Sequence, residues 1–157
     1  MNVRFFVLAM LMFGCAHTPA RPCTVSKPEL PSGEGIDRND FITLHRDGCG
    51  GTCPQYSVTV HGDGRVSANG AKFVAHAGAL SWQIDPSQAK RLLAELVRKE
   101  VWALQSNMVD DAPTARLEGK LGDRAVSVTH FGDDGELERL IDLVSEAETR
   151  VVGCVAR

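Results

Sequence analysis

Tyr56-Ser-Val-Thr-Val-His-Gly-Asp-Gly-Arg-Val-Ser-Ala68 decides how this chain folds. Tyr56, Val58 and Val60 alternate with Ser57, Thr59 and His61, the period-2 signature of a strand with one apolar and one polar face. His61 to Arg65 then reads as a tight turn, and Val66 to Ala68 begin the return strand. Two strands joined by so short a loop must run antiparallel, because a parallel pair needs a crossover of a dozen residues or more.

Upstream, Ile42 and Leu44 share one face of a strand over 41–46. Downstream, Lys72 to Val74 and Leu80 to Ile84 are expected strands, with Gly78 marking a bend or bulge. Asp85-Pro-Ser-Gln88 opens a helix: Asp85 caps, Pro86 suits the first helical position and Gln88 completes a capping box. Ala89, Leu92, Leu93, Leu96 and Val97 form its apolar stripe. A second hairpin follows over 114–130. Ala115, Leu117 and Leu121 face one way, Gly122-Asp123 turns, and Val126 and Val128 answer. Asp133 and Glu136 would frame a second helix striped by Leu137, Leu140, Ile141 and Val144. The expected class is α+β, an antiparallel sheet with two amphipathic helices packed on one face.

The chain has 157 residues, and its N-terminus carries a different message. Arg4 precedes nine apolar residues, Phe5 to Phe13. That run is shorter than the roughly 20 residues a membrane-spanning helix needs, and it suits a signal-peptide core of about 7–15 residues. The Gly14-Cys15 junction resembles a bacterial lipoprotein signal. That resemblance implies cleavage after residue 14 and lipidation of Cys15. An ordinary secretory signal is the alternative, and both imply export. The expected division is a signal peptide over 1–14, a lipidated and Pro-rich tether over 15–39, and one α+β domain over 40–157. Residues 16–39 hold four of the seven prolines. As a coil they would reach roughly 25–30 Å. Ala16, in place of an Asp after the cysteine, tilts the expectation toward the outer membrane, facing the periplasm.

Formal net charge is −3. Without Arg4 it is −4, from 16 basic and 20 acidic residues. With no clustered basic stripe, nucleic acid is excluded as a partner. The expected partners are the membrane, through the lipid, and an envelope protein or ligand.

Ile42-Thr-Leu, Cys49-Gly-Gly-Thr-Cys53-Pro-Gln-Tyr56 and Gly62-Asp-Gly64 together resemble a bacterial family known only as a domain of unknown function, DUF6438. Ser81-Trp82 before the helix is similar too. The likeness covers roughly 40–150. It implies a shared fold and export, and no activity.

Four cysteines remain once Cys15 is set aside: Cys23, Cys49, Cys53 and Cys154. In an oxidising compartment an even set reads as disulfides. Cys49–Cys53 is favoured, because Gly50 and Gly51 allow a turn that brings the two within bonding reach. Cys23–Cys154 follows by elimination. A redox couple at Cys49 and Cys53 is the alternative, although such couples usually space their thiols by two residues at a helix N-terminus. A metal site with His45 or His61 lacks a second close ligand pair.

His17, His45, His61, His76 and His130 stand in no nucleophile motif, and Asp110-Asp111 and Asp133-Asp134 read as a solvated turn and a helix cap. No nucleotide loop, cofactor, metal or catalytic residue is expected. Tyr56, His61, Asp63 and Trp82 are the candidate binding surface; Trp82 and Trp102 otherwise read as core or rim aromatics. The function expected is a lipid-anchored, non-enzymatic binding or envelope-structural module.

Overall fold

The computed structural model describes residues 32–104 and 114–131. Six strands form one antiparallel sheet: β1 Phe41–Arg46, β2 Gln55–His61, β3 Arg65–Lys72, β4 Gly78–Gln83, β5 Thr114–Leu121 and β6 Arg124–Phe131. Their spatial order is β4-β3-β2-β1-β5-β6. The first four strands lie side by side as a meander. Helix α1, Pro86–Arg98, then comes between edge strand β4 and β5, which pairs with the far side of β1.

Alternation puts one face of every strand into the core. Ile42, Leu44, Val58, Val60, Val66 and Leu117 are each at most 1 % exposed. Register aligns them across the sheet, with Leu44 opposite both Val58 and Leu117. Helix α1 contributes Ala89, Leu92, Leu93, Ala94 and Leu96 to the same core. Each large aliphatic buried there stabilises the fold by roughly 1.5–3 kcal/mol. The helix begins as its sequence dictates: Asp85 accepts a hydrogen bond from Ser87 N at 2.7 Å, and Pro86 takes the first position. It ends where Glu100 enters the left-handed region at φ +48.

Two differences from the sequence reading stand out, and one expectation falls outside the described residues. The short strand expected over Lys72–Val74 is absent as a separate element. Strand β3 runs on to Lys72, and Phe73, at φ +55, turns the chain toward β4. The segment read as tether does not stop short of the fold, since Ile36 is 8 % exposed within the core and the chain turns at Asp37–Asp40. The second expected helix lies outside the described residues, which hold one α-helix and one 3-10 turn, Val101–Ala103. The hairpin over 114–130 forms as read, with Gly122-Asp123 at its turn.

Asp40 organises one end of the sheet. It is 3 % exposed. Its carboxylate accepts from Asp37 N and from Gly122 N, each at 2.8 Å, and its carbonyl accepts from Gly62 N at 2.8 Å. One residue therefore ties the N-terminal turn to the β2–β3 and β5–β6 loops. Close packing there explains the Gly-Asp-Gly motif. A Cβ on Gly62 would stand 2.1 Å from the Asp37 carbonyl oxygen, and one on Gly64, at φ +86, 2.4 Å from that of Ile84. Only glycine fits either position.

Candidate functional site

The sheet face opposite the core is polar. Cross-strand register lines up Ser81, Ser67, Thr59, Thr43, Glu118 and Ser127 in one row that crosses all six strands. Beside it, Asn69, Ser57, His45, Arg116 and Thr129 form a second row over five strands. The alternation that buries the apolar residues produces these rows, because an odd register step would exchange the two faces.

The middle of this face is knit by contacts among its own side chains. The Thr43 and Thr59 hydroxyls are hydrogen-bonded at 2.9 Å. Glu118 receives Arg116 at 3.0 Å and His45 at 3.5 Å.

Toward β4 the face sinks into a shallow, open depression of about 360 Å³, lined by His61, Arg65, Ser67, Ser81 and Gln83. Val66 and Trp82, which alternate toward the core, complete its lining. Asp63 borders it. Its carboxylate accepts from Arg65 N at 3.1 Å and Arg65 Nε at 2.7 Å, and its carbonyl accepts from the Gln83 side-chain amide at 2.8 Å. The Arg65 hydrogen bonds hold the Asp63 carboxyl below its ordinary range. The His61 ring lies 5.7 Å from that of Phe41. Desolvation, aided by the Arg65 charge, pushes His61 below its ordinary 6.5, so the neutral imidazole predominates at pH 7.

Of the four surface residues expected from sequence, His61 and Trp82 line the depression and Asp63 rims it. Tyr56 does not join them. It is 5 % exposed and belongs to the core face with Val58 and Val60. Arg65, Ser67, Ser81 and Gln83 were missed. Their signal was present in the outward positions of two strands, but it needs the β3–β4 register to be seen. Trp102 is a rim aromatic whose ring is covered by the Arg124 guanidinium at 4.6 Å.

At the opposite end of the sheet, Cys49 and Cys53 stand at disulfide distance, with Cα atoms 5.5 Å apart. Cys53 runs through Pro54 into β2, not into a helix N-terminus. Cys15, Cys23 and Cys154 lie outside the described residues, as do His17, Asp110-Asp111 and Asp133-Asp134. His45 and His61 sit on the polar face, His76 is exposed in the β3–β4 loop, and His130 is 2 % exposed on the core side. Among the described residues, no helix is long and apolar enough to cross a membrane.

Residues 40–150 match the family model described as a domain of unknown function, DUF6438. The match spans well over half of the chain, which belongs to that family. Comparison with curated proteins finds no match.

Proposed function

We propose that this DUF6438 protein is an exported, lipid-anchored envelope module that binds its partner through the polar face of the sheet, without catalysing a reaction. The observation that carries the reading is the asymmetry of that sheet. One face is filled by α1 and the core, while the other presents hydroxyl, amide, imidazole and charged side chains in register across six strands. Convergent polar groups beside a depression are the usual makings of a recognition surface. The signal-like N-terminus supports the anchor: lipid on Cys15 would hold the domain at the membrane, the outer membrane by preference, and the Pro-rich segment would carry it clear of the headgroups.

Two measurements test this. Native protein is expected to sediment with membranes, and Cys15→Ser protein to stay soluble. Chemical crosslinking of the anchored protein in intact envelopes is expected to yield adducts. Those adducts should be lost when Glu118→Arg or Ser81→Arg alters the polar face, and kept when the exposed Glu34 is changed to Ala. Adducts indifferent to both face changes would remove the reading.

A second reading uses Cys49 and Cys53 as a thiol-active pair. It is favoured by one observation, that both sit in a short loop whose Gly50, Gly51 and Thr52 are exposed. Under mild reductant a redox couple is alkylated quickly, whereas a structural bridge resists.

A further inference from the structure

We propose that the depression between β3 and β4 is a subsite for a neutral saccharide, read by Ser67, Ser81, Gln83, Arg65 and His61. The inference rests on the reading of the polar face as the binding surface and gives its ligand a chemical class.

The face divides into a consumed part and an available part. At its centre, Thr43 and Thr59 satisfy each other, and Glu118 is paired with Arg116 and lies 3.5 Å from His45. Ser67 and Ser81 stand opposite each other across β3 and β4, both exposed. Among the described residues neither hydroxyl has a side-chain partner. Gln83 is held by its amide nitrogen on the Asp63 carbonyl, which leaves its own oxygen to accept. Arg65 is fixed through Nε on Asp63, and its terminal nitrogens remain to donate. Neutral His61 offers one donor and one acceptor.

Donors and acceptors are therefore interleaved, and this selects the ligand. An ionised carboxylate or phosphodiester only accepts. It would face the Gln83 oxygen and the imidazole lone pair with nothing to give, and Asp63 offsets the Arg65 charge that would draw it in. An apolar ligand would strip water from several polar groups without replacing their hydrogen bonds. A polyol hydroxyl both donates and accepts, so it answers every group in the set. The volume of about 360 Å³ sits at the low end of the range for small-ligand sites, roughly 300–1,000 Å³. Because the depression is open, it suits one sugar unit of a longer chain.

The test uses the full mature chain made soluble by Cys15→Ser, followed by backbone amide NMR. Chitotetraose, cellotetraose and maltotetraose are each added to about 10 mM, enough to fill a site of millimolar affinity; inorganic phosphate is added alike. At least one tetrasaccharide is expected to give saturable shifts at residues 61–67 and 81–83. The double variant Ser67→Ala/Ser81→Ala should weaken that binding about tenfold or more, and its undisturbed β5–β6 resonances report an intact fold.

The subsite is overturned if no tetrasaccharide shifts those amides, if the double variant binds as well as the native chain, or if phosphate shifts them as strongly as sugar. Its failure is separable from failure of the wider reading. Envelope crosslinks that vanish in Glu118→Arg but persist in Ser81→Arg sink the subsite and keep the binding face. Crosslinks indifferent to both sink the two together.

Discussion

At one end of the sheet three chain reversals converge on Asp40, while at the other the longest loop between paired strands, β1–β2, is closed by Cys49 and Cys53. The first end has loops of three and two residues, 62–64 and 122–123, between paired strands. The second has eight residues, 47–54, between β1 and β2. Short loops are specified by their own backbone geometry, so hydrogen bonds to the carboxylate and carbonyl of one residue suffice to lock them together. A longer loop has more conformations to lose on folding, and a covalent closure removes much of that freedom from the unfolded chain. The comparison teaches that the bridge belongs where turn chemistry is weakest. That favours a structural role for the two cysteines.

The sharpest way to break this comparison is at Asp40. Asp40→Ala leaves the part-buried amides of Asp37 and Gly122 without their acceptor. It is expected to cost about 2–4 kcal/mol in urea denaturation. Asp40→Asn, which keeps one acceptor oxygen, should recover part of the loss. If Asp40→Ala changes stability by less than 1 kcal/mol, as a surface substitution would, the end is not held as described.

The covalent end should matter less. Cys49→Ser/Cys53→Ser is expected to lose about 2 kcal/mol, the chain-entropy value for a five-residue closed loop. Amide exchange would quicken around 47–55 and not around 61–65. A loss larger than that of Asp40→Ala reverses the ranking.

Away from both ends, Asp85→Ala removes the α1 cap and should cost about 1 kcal/mol, read from the thermal midpoint. A null result would mean that packing of the leucine stripe alone sets the helix start.

The smallest effect concerns pH. Burial holds His61 below 6.5, so the unfolded chain takes up a proton more readily. The resulting stability is full above pH 6.5 and declines as pH falls below it. Asp63 and Asp85, both lowered, act in a separate window: their contribution is present above 3.8 and is lost on further acidification. His61→Gln should flatten the first slope and leave the second. An unchanged slope near pH 6 would assign it to another group.

Local features were legible in the sequence because their causes are local. The alternation at Tyr56–Val60, the glycines at 62 and 64, and Asp85-Pro86 before the leucines each act within a few residues, and the structure follows them. Tyr56 shows how the same pattern can be misapplied. Sharing a face with Val58 and Val60 committed it to the core, whatever its aromatic ring suggested about binding. Asp40 gave no signal, since its partners Asp37, Gly62 and Gly122 are separated by up to 82 positions.

The sequence by itself determined the antiparallel pairing, the capped start of α1, the family and which side chains could share a face. Periodicity and turn chemistry are properties of adjacent residues, so they need no knowledge of the rest. Only the tertiary structure decided that β5 pairs with β1, that Asp40 joins three loops, and that Ser67, Ser81 and Gln83 gather beside His61. Those outcomes depend on which strands become neighbours and in what register, and long-range pairing is settled by burial of the whole core at once.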